Sequence, residues 1–166
     1  MPNPPANFLH VASHGYFAVD AVERSEVVTD LSPSVLTGLA LSGANLGPDA
    51  SGQVPGIITA EELQTVDLTG CWLAVLSACD ASRGVVQPGQ GIASLHQALQ
   101  GAGARYVISS LWQVGDKAAA DLMSDFYRLM WQDGRPVHEA LWGARMLARK
   151  RGAPFRDWAG WVLTGY

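Results

Sequence analysis

The chain has 166 residues, of which 48% are hydrophobic and 16% charged, and its formal net charge at pH 7 is −4. This composition excludes disorder as the main state, because disordered chains combine low hydrophobicity with high net charge. An acidic chain without a long basic run is not expected to bind nucleic acid, and no stretch approaches the ~20 apolar residues that span a bilayer. The length fits one domain over residues 1–166, with no internal boundary.

The first predicted element is a strand over residues 8–12, which ends at Ser13-His14-Gly15, where glycine permits a turn. Residues 18–56 are rich in glycine, proline and acids. Within them residues 38–42 are expected to form a strand that pairs with Ile57-Ile58 as a long hairpin. A connection of this length is often functional or mobile in a compact domain.

The middle of the chain predicts a strand–helix–strand unit. Thr59 and Glu62 fit a capping box that opens a short helix. Residues 72–77 are apolar at both alternating positions, which is typical of a strand covered on both faces. A helix over residues 91–102 and a strand over 106–111 follow, so the two strands should be parallel with a right-handed crossover.

The last third of the chain predicts two helices and a short strand. Asp116 is expected to cap a helix over residues 117–132. Pro136 fits the first position of a second helix over about 136–150. Residues 158–163 are a last apolar piece, expected to form an edge strand.

Two predicted strands are each followed by a residue that can take part in catalysis. Ser13-His14-Gly15 follows the first strand, and Cys79-Asp80 follows the second. In open α/β sheets ligands bind outside the carboxyl ends of the strands, so neighbouring parallel strands would bring His14 and Cys79 side by side. A thiol beside an imidazole is the arrangement that nucleophilic catalysis needs. Taken singly, Cys79 also fits a buried apolar residue and His14 a turn residue, but their joint placement favours catalysis.

The other cysteine and histidines are interpreted as structural. Cys71 lies at the amino end of its predicted strand, too far along that strand from Cys79 for a disulfide, and two unpaired thiols favour a reducing cytoplasm. His10 is expected to be a hydrogen-bonded core residue, and His96 and His138 to be packed or solvated helix residues. No Cys/His spacing fits a zinc site, and no metal or organic cofactor is implied.

Several motifs, in order along nearly the whole chain, resemble the CHAT domain, a caspase-like protease family that is related to separases and often found in bacteria beside helical repeats. They are Leu9-His10-Val11-Ala12-Ser13-His14-Gly15, Val75-Leu76-Ser77-Ala78-Cys79-Asp80, Gly89-Gln90-Gly91 with Ala102-Gly103-Ala104, Ser110-Leu111-Trp112-Gln113-Val114-Gly115-Asp116, Leu122-Met123 with Phe126-Tyr127, and Trp158-Ala159 with Val162-Leu163-Thr164-Gly165. The resemblance implies a three-layer α/β caspase-like fold with a mostly parallel sheet.

The resemblance also implies a cysteine endopeptidase that cleaves a protein substrate. The family's catalytic histidine falls on His14 and its nucleophile on Cys79. Backbone N–H groups near that pair, those of Gly15 and Cys79, would then form the oxyanion hole. The alternative function is a non-catalytic CHAT-like module that binds partners within a regulated effector.

Asp116 raises the question of specificity. In separases the acid after the Ser-Leu-Trp segment receives an arginine, so the resemblance makes Asp116 a selector for a basic P1 residue through a charge-assisted pair. The alternative is a plain helix N-cap, which aspartate performs well. One side chain can serve both purposes.

One departure from the family pattern concerns the start of the sheet. Complete caspase-like domains have strands upstream of the histidine-bearing strand, and here only residues 1–7 precede it. The strand at residues 8–12 would then be an exposed apolar edge. We therefore expect the chain to be the C-terminal portion of a longer protease, or to receive the missing strands from an upstream region or a helical-repeat regulatory partner.

Overall fold

A computed structural model describes residues 7–17, 33–80 and 90–165 of the chain. Its sheet has six strands: β1 (Phe8–Phe17), β2 (Thr37–Ala40), β3 (Ile57–Thr59), β4 (Leu73–Asp80), β5 (Tyr106–Ser110) and β6 (Trp161–Gly165). Their order across the sheet is β3-β2-β1-β4-β5-β6. Residues 18–32, which begin the glycine- and proline-rich connection predicted over 18–56, lie outside the described part of the chain, as do residues 81–89.

Six helices accompany the strands: α1 (Pro33–Leu36), α2 (Ala60–Gln64), α3 (Gln90–Gly101), α4 (Asp116–Tyr127), α5 (Val137–Lys150) and α6 (Phe155–Trp158). A π-helical segment, Arg128–Gln132, continues α4. None of the helices in the described ranges is both long and apolar enough to cross a membrane.

The centre of the sheet is parallel, and its margins are antiparallel. β1 pairs with β4, and β4 with β5, in parallel. This confirms the predicted strand–helix–strand unit built from β4, α3 and β5. β2 and β3 form the predicted antiparallel hairpin, and β6 is antiparallel to β5 at one edge. Four of the six described strands run in one direction, as expected for a mostly parallel α/β sheet.

Helices cover both faces of β4, which explains its uninterrupted apolar run. Residues 73–76 of this strand are each 1% exposed or less. Because strand side chains alternate between faces, one pair faces α4 and α5, and the other pair faces α2 and α3. The first layer includes Leu73, Val75, Ile108, Leu122, Phe126 and Ala144, and the second Ala74, Leu76, Leu63, Leu95 and Leu99. The domain is therefore a three-layer α/β structure.

β1 is longer than predicted. It continues through Gly15 to Phe17, where the sequence suggested a turn. The reason is pairing with β2: the antiparallel register runs from His14 opposite Ala40 to Phe17 opposite Thr37. In the described ranges, the part of β1 before His14 has a strand partner in β4 alone.

The predicted cap positions of α4 and α5 are wrong by one residue. Gly115 is the N-cap of α4, and its carbonyl accepts the Ala119 N–H at 2.9 Å. Asp116 is instead the first residue of the helix, so its carboxylate is not used as a cap. Pro136 likewise precedes α5 as its N-cap, with an extended ψ of 150°. The capping box of Thr59 and Glu62 on α2 is confirmed.

His96 joins α3 to the two strands at the far side of the sheet. Its Nδ1 lies 2.7 Å from the Ser109 hydroxyl on β5, and its Nε2 lies 2.5 Å from the Thr164 hydroxyl on β6. Burial lowers the pKa of His96 below its ordinary value of 6.5. The ring is therefore held neutral between two hydroxyl partners.

We expect the free energy of unfolding to fall as the pH drops from about 7 to about 5. The pKa of His96 is lower in the folded chain, so below pH 6.5 the unfolded chain binds more protons and is favoured. Urea unfolding at several pH values measures this slope. His96→Asn should flatten it, whereas His138→Asn, an exposed position on α5, should not. An unchanged slope in His96→Asn would contradict the assignment.

Candidate active site

His14 and Cys79 lie opposite each other on neighbouring strands. The parallel register of β1 and β4 pairs Ala12 with Ser77 and His14 with Cys79. Strands in a sheet are roughly 4.8 Å apart, so the two backbones are adjacent at this point. The side chain of Cys79 lies outside the described part of the structure. The predicted neighbourhood of the two residues is thus found in the backbone register.

A cavity of about 340 Å³ opens between this strand pair and α4. On its sheet side, His10, Ala12 and His14 are alternate residues of β1, whose side chains face the same way, and Ser13 between them also borders the cavity. The lining residues are His10, Ala12, Ser13, His14, Ser77, Val114, Asp116, Ala119, Ala120 and Met123. The small alanines on both walls leave the space that the cavity occupies.

Asp116 brings a negative charge to this cavity. It begins α4, and its exposed carboxylate has no ion pair or hydrogen-bond partner among the described residues. The lining includes no lysine or arginine. A cleft lined by charge of one sign attracts ligands of the opposite sign, so this cavity suits a cationic group rather than an anionic one. His14 and Asp116, predicted separately, are brought together on its walls.

Gly15 lies inside β1, one residue beyond His14. It is buried and flanked on both sides, by Leu39 of β2 and by Asp80 of β4. A contribution of its N–H to an oxyanion hole stays a prediction, as does that of Cys79.

Cys71 is structural, as expected. It is 1% exposed, and its thiol donates to the Leu73 carbonyl at 3.5 Å. Burial raises the pKa of the Cys71 thiol, which keeps it protonated and poorly reactive. Chemistry at a thiol is therefore not expected at this position.

His10 differs from the prediction of a core residue. It is hydrogen bonded, with Nδ1 2.8 Å from the Tyr127 hydroxyl, but it is exposed and lines the cavity. His10 lies in the part of β1 that pairs with β4 alone among the described residues, so a neighbouring strand shields it on one side only. His96 is packed in the helix layer and His138 is exposed, as interpreted from the sequence.

Sequence reasoning missed several residues of the site, including His10, Ala12 and Ser77 as cavity walls. The alternation of a strand, counted back from His14 and Cys79, is the signal that could have found them. The alanines of α4 carry no chemical signature and become meaningful only when the helix is packed against β1. Within the described ranges, no three His, Cys, Asp or Glu side chains are grouped so that they could hold a metal ion.

Comparison with known families gives a match to the CHAT domain over residues 1–166, the whole chain. The chain belongs to the CHAT domain family. CHAT domains are a caspase-like protease family, and the six-stranded sheet between helical layers agrees with a caspase-like α/β fold. No curated protein matches this CHAT domain.

Proposed function

We propose that this CHAT domain is a cysteine endopeptidase in which Cys79 is the nucleophile and His14 its partner base. The observation that carries the proposal is the register of β1 and β4, which sets these two residues opposite each other beside a cavity. An imidazole next to a thiol favours the thiolate and can return the proton to a leaving group. This pairing is what acyl transfer to a cysteine requires.

The proposed reaction has two steps. The Cys79 thiolate attacks the carbonyl carbon of the scissile peptide bond, the C–N bond breaks, and His14 donates the proton to the departing amine. Water, deprotonated by His14, then attacks the thioester, which releases the carboxylic acid and restores the thiol. The N–H groups of Gly15 and Cys79 are proposed to stabilise the oxyanion in both steps.

The cavity is proposed to hold the P1 side chain, with preference for a basic residue. Asp116 is its carboxylate, no lysine or arginine shares the lining, and Asp116 has no partner in the described part of the chain. An arginine guanidinium would gain a charge-assisted and bidentate pair there. The substrate is therefore proposed to be a protein cleaved after arginine or lysine, in the reducing cytoplasm, where the thiol of Cys79 stays free.

Covalent labelling tests this function. An acyloxymethyl ketone peptide with P1 arginine is expected to label the wild-type chain and not Cys79→Ala, and a P1 aspartate peptide is expected to react far more slowly. Labelling is read by intact mass. If no peptide labels a chain that circular dichroism shows to be folded, the chain is instead a binding module without protease activity. Labelling by P1 aspartate but not P1 arginine would reject the role given to Asp116.

A further inference from the structure

One margin of β1 has no strand beside it in the described part of the chain. β2 pairs with β1 from His14 onward and ends at Ala40. The next N–H, that of Leu41, bonds the Gly56 carbonyl, so the chain turns toward β3 at this point. Residues 8–13, the open edge of β1, therefore pair with β4 on one side and with no described strand on the other.

The backbone polar groups of alternate residues point out of the open edge. Along a strand, the N–H and C=O of one residue point to one side and those of the next residue to the other. Leu41 bonds toward β3, so Ala40 faces β1, and its opposite residue His14 faces β2. The N–H of Leu9 points the other way, to the Cys71 thiol beside β4. The residues that share the outward direction of His14 are Phe8, His10 and Ala12.

These three residues present three N–H and three C=O groups at the open edge. No backbone hydrogen bond among the described residues joins them to the connection between β2 and β3. Backbone polar groups of a sheet are strong hydrogen-bonding groups, and a row of them without partners is a template for another strand.

The open edge lacks the features that usually keep sheet edges apart, which are charged residues, proline and bulges. Residues 8–13 contain no Asp, Glu, Lys, Arg or Pro, and their register with β4 is uninterrupted. Apolar surface lies beside it. Trp131, whose ring centroid is 5.4 Å from that of Phe8, is 60% exposed, and Leu41 is 43% exposed. This edge is therefore suited to pairing with an uncharged strand.

The open edge is complementary to itself. When two copies lie antiparallel with His10 opposite His10 of the second copy, Phe8 of each copy lies opposite Ala12 of the other. These are the hydrogen-bonded pairs of an antiparallel ladder, so every outward N–H and C=O of both copies is used. The large Phe8 ring then meets the small methyl group of Ala12 on each side of the axis, which avoids a clash between two large side chains.

We propose that β1 is the contact strand of a symmetric homodimer, in which the open edges of two copies pair antiparallel about His10 and join the two sheets into one. The occupant of the edge is a second copy of this chain because the pairing leaves no outward group unpaired and matches large with small side chains. His10 and Ala12 also line the cavity of the candidate site. Phe8 of the second copy therefore lies beside that cavity wall. The dimer does not depend on the proposed peptidase activity.

Sedimentation equilibrium of the full chain tests the dimer. The wild-type mass is expected to rise from 17.6 kDa toward twice that value as the concentration increases. Ala12→Pro removes an outward N–H and leaves the bonds to β4 intact, because proline is tolerated where the N–H side of an edge strand faces solvent. Since the change occurs twice in a symmetric contact, the dimer Kd should rise at least about tenfold. Circular dichroism checks that the variant is folded.

A second variant keeps the test decisive if Ala12→Pro does not fold. His10→Lys replaces an exposed side chain and sets two ammonium groups opposite each other, so it should also weaken the dimer. Trp142→Lys is the matched control. Trp142 is a 59% exposed aromatic residue on α5, outside the open edge, and its replacement should leave the dimer Kd unchanged.

Cross-linking tests the register. In a Cys79→Ala background, His10→Cys places two thiols opposite each other across the axis, where a one-carbon bis-methanethiosulfonate should join them. Ala12→Cys is the control, because the two substituted positions lie four residues apart along the strands, about 13 Å, and should not be joined. Cys71 is 1% exposed and should not react.

Two results would overturn the proposal. The first is a monomer mass of 17.6 kDa at every concentration up to about 1 mM, which would leave the open edge to a strand from another source. The second is a dimer that persists in the folded edge variants and is not cross-linked through His10→Cys, which would place the contact elsewhere, for example at β6. Neither result affects the peptidase proposal, which peptide labelling tests separately.

Discussion

Replacing Cys79 by alanine is expected to lower kcat for cleavage of a P1 arginine peptide by roughly 10⁴-fold or more. The thiolate is the proposed attacking group, and the thiol of Cys71 is buried and held protonated, so it does not replace it. His14→Ala and the double variant should lose about as much as Cys79→Ala, because a nucleophile and its base act as a unit and their effects do not add. Release of a fluorogenic leaving group at saturating peptide measures kcat.

The chain supplies a matched control in its second cysteine. Cys71 is buried beside the amino end of β4 and donates to the Leu73 carbonyl, whereas Cys79 lies at the carboxyl end of the same strand. Cys71→Ala should lose some stability but keep its turnover, because its thiol is held protonated and takes no part in the reaction. Loss of activity in Cys71→Ala and its retention in Cys79→Ala would reverse the assignment of the nucleophile.

Neutralising Asp116 is expected to lower kcat/KM for a P1 arginine peptide by about 100-fold, equivalent to about 2.7 kcal/mol. Asparagine keeps the size of the side chain but removes the charge that a guanidinium would pair with. A P1 norleucine peptide, which has no charge to lose, should change by less than about twofold. The ratio of kcat/KM for the two peptides, measured in the wild type and in Asp116→Asn, therefore isolates the contribution of the Asp116 charge.

Asp121→Asn is the control for Asp116→Asn. Asp121 lies on the same helix, outside the cavity lining, and pairs with Lys117 at 3.0 Å across an exposed surface. A surface pair of this kind contributes little, so the variant should behave as the wild type. An unchanged preference for arginine over norleucine in Asp116→Asn would show that another residue selects P1, while leaving the peptidase proposal intact.

Much of the fold follows from short-range patterns in the sequence. The apolar run at residues 73–76 predicts a strand covered on both faces because alternation and hydrophobicity are local properties, and the structure confirms it. The capping box of Thr59 and Glu62 is likewise complete within four residues. The sequence underestimates the extent of β1, because the last residues of this strand are held by β2, which lies twenty or more residues further along the chain.

The residues of the candidate site likewise fall into those that the sequence indicates and those that only packing reveals. From the sequence, His14 and Cys79 are candidates because an imidazole and a thiol follow two predicted strands, and Asp116 is a candidate through the resemblance to the CHAT domain. The packing of distant segments is what brings His14 and Asp116 to one cavity. It also brings the hydroxyl of Tyr127, 117 residues further along the chain, to the ring of His10 at the border of that cavity. The physical reason is that strand periodicity and helix capping depend on near neighbours, whereas a cavity is the space left when distant segments pack.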